Sequence, residues 1–247
     1  SSITVGNLVS YYNPALSAFQ ENYSAQTSYT FLSLDRSLNF LNFTRRFDFY
    51  SAKDSLENPR KPRSSAGVSL GIINSGVSNI DGRDNNGAKT EELSTSENQF
   101  FIGLSNRFSE KLSLGVAVKI FYYKLYEDVS SSGFGVDLGL LYRINEQFNF
   151  SVVVCDINTK YKWDTSSPSI YGLEGRNTED RFPNLRKFGL SYKNNELGLL
   201  GSIEFENSNA HSNVLRAGIE YNLIDLLFIR GGIDQFNLSN TDTPLKP

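Results

Sequence analysis

Over ten or more residues at a time, large apolar side chains in this chain occupy every second position, with Gly, Ser, Asp, Lys and Arg filling many of the places between. Phe134, Val136, Leu138, Leu140 and Tyr142 share one side of an extended strand, and Gly133, Gly135, Asp137, Gly139, Leu141 and Arg143 share the other. The pattern recurs from Leu112 to Tyr122 around Ser113, Gly115, Ala117 and Lys119, from Leu197 to Phe205 around Ser202 and Glu204, and from Leu215 to Tyr221 around Arg216 and Glu220. A strand with one greasy and one charged face suits a soluble sandwich whose greasy face meets a core. It also suits an outer-membrane barrel whose greasy face meets lipid and whose polar face meets a lumen. Length separates the two: about ten residues is what a tilted strand needs to cross a bilayer, whereas strands in soluble proteins run nearer five or six.

The sequence predicts an all-β, antiparallel transmembrane barrel with strands at 23–33, 37–49, 66–76, 98–108, 111–126, 132–144, 147–157, 185–194, 197–206, 213–223 and 226–236. Short polar turns at Ser109-Glu110, Asn145-Glu146 and Asn194-Asn195-Glu196 join hairpins, with longer loops at 77–97, 158–184 and 207–212. Short turns on one side and long loops on the other is the layout of such barrels. The 247 residues read as one domain: a plug segment over 1–22, strands over 23–237, and a loop or truncated end over 238–247. Eleven strands is an odd number where single-chain bacterial barrels have even ones, which predicts a missed strand or a chain continuing beyond Pro247.

The lumen-facing candidates on this register are Lys119, Asp137, Arg143, Glu204, Arg216, Glu220, Arg230 and Asp234. Both signs of charge are present, as expected of cross-strand ion pairs that fill an interior, or of a polar path for a solute. Tyr161, Trp163 and Asp164 are candidates for an extracellular loop. Phe47, Phe49, Tyr50, Phe100, Phe101, Phe121, Tyr122, Tyr123, Phe148, Phe150 and Tyr221 fall near predicted strand ends, as in an interfacial aromatic girdle. The basic run Asn58 to Arg63 reads as solvated loop, with a binding partner or an anionic lipid headgroup as the alternative.

Other chemistries find little support. His211 is the only histidine, which leaves no basis for a histidine triad or a multi-histidine metal site, and no enzyme activity or cofactor is expected. Cys155, the only cysteine, reads as a small buried residue. The loop Asp81 to Gly87 departs from calcium-loop spacing and reads as turn chemistry. A net charge of -3 argues against nucleic acid as a partner.

Asn13-Pro14-Ala15, the Leu112–Lys119 strand, Gly133–Tyr142, Trp163-Asp164, Phe182-Pro183, Phe188-Gly189-Leu190-Ser191-Tyr192, Glu220-Tyr221 and Ile229-Arg230-Gly231-Gly232 together resemble the PorV/PorQ family. The resemblance implies a FadL-type barrel of about fourteen strands in the outer membrane of a Gram-negative bacterium, so that about three more strands are expected after Asp234. It implies an accessory role in type IX secretion, with outer-membrane lipid, a secretion translocon and secreted cargo as partners. FadL-like transport of hydrophobic solutes is the second expectation, and a self-associating structural subunit with exposed strand edges is the third.

Overall fold

The structure is a computed structural model that describes residues 1–4, 6, 8–20, 22–50, 62–126, 129–164, 177–224 and 227–239. Among the described residues twelve antiparallel strands form one sheet: β1 (Tyr23–Leu32), β2 (Arg36–Phe49), β3 (Ser64–Arg83), β4 (Lys89–Arg107), β5 (Leu112–Tyr126), β6 (Val129–Arg143), β7 (Phe148–Asp164), β8 (Asn177–Arg181), β9 (Leu185–Asn194), β10 (Leu199–Ser208), β11 (Asn213–Ile224) and β12 (Leu227–Asn237). Each strand pairs with the next in sequence except around β7. There β8 pairs with residues 160–164 of β7, and β9 pairs with residues 148–155 of the same edge. Among the described residues β1 pairs only with β2 and β12 only with β11.

The sheet is inside out relative to a soluble protein. Along β5 and β6 the apolar set is exposed, Ile120 at 50% and Leu138 at 48%, while the polar set is buried, Lys119 at 5% and Asp137 at 0%. Water cannot be the solvent on the apolar side, because exposing this much contiguous apolar surface is unfavourable there; hydrocarbon can. One outward row runs Ala25, Phe43, Leu70, Ile102, Val118, Val136 across six neighbouring strands. Towards the end that carries the β3–β4 tip, the outward row becomes Tyr29, Asn39, Asn74, Asn98, Tyr122, and amide hydrogen bonds link Asn39 to Asn74 (3.3 Å) and Asn74 to Asn98 (2.8 Å). The apolar band ends at that ladder.

All eleven predicted strands are present, and the structure corrects their limits. The loop expected at 77–97 is mostly strand: β3 runs to Arg83, β4 starts at Lys89, and ion pairs of Lys89 with Asp81 (2.8 Å) and Glu92 (3.1 Å) hold the tip. These residues lie beyond the apolar band, where nothing sorts the two faces by hydropathy, so the alternation that marks a strand is missing. Asp84 Oδ1 accepts from the backbone N–H of Asn86 and of Ala88, the turn chemistry expected of the Asp81–Gly87 loop. The loop expected at 158–184 contains the end of β7 and all of β8, so Tyr161, Trp163 and Asp164 are strand residues and not loop residues. Of the basic run, Asn58 to Lys61 lie outside the described residues.

The alternation of β7 breaks at Asp156 and Asn158, both in left-handed backbone (φ 58 in each). Val136 of β6 pairs with Ile157, but Leu138 pairs with Val154 and Phe134 with Lys160, so β7 carries one extra residue on each side of Ile157. A single bulge would turn the rest of the strand over; the second restores the phase. This double bulge is why the sequence pattern stops at 157 while the strand continues.

Candidate functional site

The inner face of the sheet holds the N-terminal segment. A short helix, Val9–Tyr12, leads through fully buried Asn13 into a 3₁₀ helix, Pro14–Phe19, that packs against β2 to β6. Asn13 ties the segment together: its Oδ1 accepts from Ala15 N–H (3.0 Å), and its Nδ2 donates to the carbonyls of Ser1 (3.0 Å) and Leu140 (3.3 Å). Pro14 suits the first helical position, where no N–H is needed.

Small inward residues make this close approach possible. One inward row runs Arg46, Gly67, Ser105, Gly115, Gly139 across β2 to β6. A Cβ on Gly115 would lie 2.8 Å from Ala15 Cα, and one on Gly139 would lie 2.9 Å from Pro14 Cδ and overlap Asn13 Oδ1. Hydroxyls complete the seat: Ser17 Oγ lies 2.6 Å from Ser105 Oγ, and Ser113 Oγ donates to Ala15 O (2.9 Å). The N-terminal segment therefore has a fitted seat in the wall. By alternation alone these positions are only the polar half of their strands; their Gly, Ser and Ala content is the legible signal for a closely approaching second segment.

Beside the plug lies a buried charge cluster. Lys119 Nζ is 2.7 Å from Asp137 Oδ2 and 3.7 Å from Asp156 Oδ1, and it stands 4.7 Å from the centre of the Tyr11 ring. Asp137 Oδ1 accepts the backbone N–H of Asp156 (2.9 Å), which anchors the β7 bulge to β6. Tyr11 Oη donates to Gln99 Oε1 (3.1 Å). A second network joins Lys187 to Glu206 (3.3 Å) and Arg216 to Glu206 (3.1 Å), Glu204 (3.4 Å) and Asp234 (3.0 Å). Arg230 pairs with Glu220 close to the β12 edge. Arg143 stands apart, its guanidinium 4.8 Å from the centre of the Phe19 ring. Asp156, Lys187 and Glu206 were not among the predicted residues; Lys187 and Glu206 follow from strand phase, whereas Asp156 needs the bulge.

Towards the β3–β4 tip the inner face turns aromatic. Phe121, Tyr123, Tyr161, Trp163 and Phe182 form one cluster with neighbouring ring centres 5.0 to 6.1 Å apart, all in tilted or edge contacts. Tyr161, only 6% exposed, donates to Glu97 Oε1 (2.7 Å), and Trp163 Nε1 donates to Asp180 Oδ2 (2.7 Å). Of the residues expected in an outward girdle, Phe47, Phe49, Tyr50, Phe100, Tyr122 and Tyr221 are exposed, but Phe101 and Phe121 are buried on the inner phase. Adjacent aromatic residues in a strand necessarily divide between its two faces. The arrangement offers a ring-lined surface above the seated N-terminal segment, with networks of ion-paired charges beside it.

No family model and no curated protein matches this chain. Among solved structures it is similar to the TodX deltaS2S3 mutant, a monoaromatic hydrocarbon channel, at 13% identity and a TM-score of 0.58, covering 98% of this chain and 82% of that one. At that identity the likeness shows the fold alone, the antiparallel all-β architecture of that channel.

Proposed function

We propose that this chain sits in the outer membrane of a Gram-negative bacterium and binds and passes hydrophobic solutes, compact aromatic ones included. The observation that carries this reading is the cluster of five aromatic rings on the inner face, directly above the glycine-seated plug. Rings packed edge to face accept another planar apolar ring at similar spacing, and the plug closes the path that water and ions would take. The fold likeness to a monoaromatic hydrocarbon channel supports the same class of solute. The test is uptake of radiolabelled toluene and of labelled glucose by cells producing the protein. Accelerated toluene entry with unchanged glucose entry is expected; equal acceleration of both, or of neither, overturns the reading.

A second reading follows the PorV/PorQ resemblance, in which the barrel is an accessory that receives secreted protein at the cell surface. The pairing of β7 with β8 favours it, because it displays Lys160, Lys162, Glu179 and Arg181 on adjoining strands within the region expected to meet partners. Recovery of the protein from mild detergent in complex with a translocon or with secreted proteins is its expected result, and recovery as an isolated barrel counts against it.

A further inference from the structure

At the end of the sheet that carries the short turns, two arginines from β4 and β6 converge on one ring of the plug. The guanidinium of Arg107 lies 5.4 Å, and that of Arg143 4.8 Å, from the centre of Phe19. Arg107 Nη2 donates to Ser65 Oγ (2.9 Å), while its buried Nε has no hydrogen-bond partner. Among the described residues neither arginine forms an ion pair with a carboxylate, whereas nearby Arg46 pairs with Asp48 at 3.0 Å. Beside them opens a cavity of about 360 Å³ lined by Arg107, Lys111 and Arg143 and by Glu110 and Glu146.

We infer that this cavity is a binding site for a monoanionic oxyanion, a carboxylate or a singly charged phosphate ester. Partly buried guanidinium groups keep their charge at a cost that a ring face offsets only in part, and their N–H edges remain available. A planar guanidinium presents those edges in a fork that matches a carboxylate or phosphate. Among the described residues the lining carries three cations and two carboxylates, a positive balance that favours a singly charged anion. Because Phe19 ends the 3₁₀ helix under both guanidinia, an anion there also braces the plug from the short-turn side. The source is either a soluble solute or an anionic lipid headgroup.

The test uses the full chain in phosphatidylcholine nanodiscs with trifluoroacetate as the probe, read by ¹⁹F line broadening. Broadening that acetate competes away, that falls at least five-fold in Arg143→Gln and less in Arg143→Lys, and that Arg83→Gln at the far tip leaves alone, is the expected result. Lys111→Gln, on an exposed turn, gives an independent loss should Arg143→Gln fail to insert. No broadening by the unmodified protein, or broadening in Arg143→Gln and Lys111→Gln as great as in the unmodified protein, overturns the site. Repeating the measurement in phosphatidylglycerol nanodiscs distinguishes the sources: broadening lost there assigns the site to lipid headgroups, and broadening retained assigns it to soluble anions.

Discussion

Asn13 Oδ1 fills the space directly over Gly139, on the inner face of β6, so that any side chain at that glycine displaces the plug. The same contact places Pro14 against the wall and lets Asn13 Nδ2 reach the carbonyl of Leu140. Wall and plug are thus fitted at the level of backbone atoms.

Gly139→Ala is expected to destabilise the folded protein by about 1–3 kcal/mol, the usual range for overpacking, and to raise the conductance of the barrel in planar bilayers as the plug loosens. Gly231→Ala serves as the control, since nothing lies within 4 Å of the Cβ it would add. Thermal unfolding in detergent and single-channel recording read the two effects; identical behaviour of both variants contradicts the seat.

Lys119→Met leaves Asp137 and Asp156 as neighbouring carboxylates with no cation between them. Breaking a buried pair in this way costs about 3–5 kcal/mol. The double variant Lys119→Met/Asp137→Leu is expected to recover part of that loss, although it frees the Asp156 N–H that Asp137 now accepts. Denaturant titration of the single and double variants measures the coupling.

Val118 lies in the middle of the outward apolar band, between Ile102 and Val136. Val118→Lys is expected to cost about 2–4 kcal/mol of membrane insertion, the range for a cation on the lipid face at the midplane. Lys89→Ala, at the tip of the β3–β4 hairpin, is expected to leave insertion unchanged. Folding into lipid vesicles, followed by heat-modifiable gel migration, distinguishes them.

Trp163 is the only tryptophan and belongs to the aromatic cluster, so its fluorescence reports directly on ring-lined space. Bromobenzene is expected to quench it saturably. Tyr161→Ala removes ring contacts to Phe121, Tyr123, Trp163 and Phe182. The one ring contact to the solute that goes with Tyr161 is worth about 0.5–1.5 kcal/mol, so the apparent affinity should fall roughly two- to twelve-fold. Tyr161→Phe keeps the rings and should retain most of it.

The strands were legible because lipid imposes a two-residue period wherever an outward side chain meets it, as from Leu114 to Tyr122. Where β3 and β4 rise past the asparagine ladder that constraint disappears, and residues 77–83 and 89–97 looked like loop although they pair across the hairpin. Lys119 and Asp137 were legible as inward charges by phase alone, and their partnership with each other needed the register that sets Ala117 opposite Asp137 and Lys119 opposite Gly135. Phe101 and Phe121 differ from their outward neighbours Phe100 and Tyr122 only in phase, which nearness to a strand end does not reveal. Asp156 was invisible as a site residue, since only a bulge brings its carboxylate towards Lys119.

The double bulge of β7 limits how this chain can change in length. Tyr161 and Trp163 keep their inward phase only because two extra residues, one on each side of Ile157, cancel each other's half-turn. Loss of Asn158 alone would rotate the rest of the strand and send Lys160 and Lys162 into the ring-lined space while expelling the rings themselves. Insertions and deletions in this stretch are therefore tolerated only in multiples of two, which makes single-codon indels there far more damaging than single substitutions.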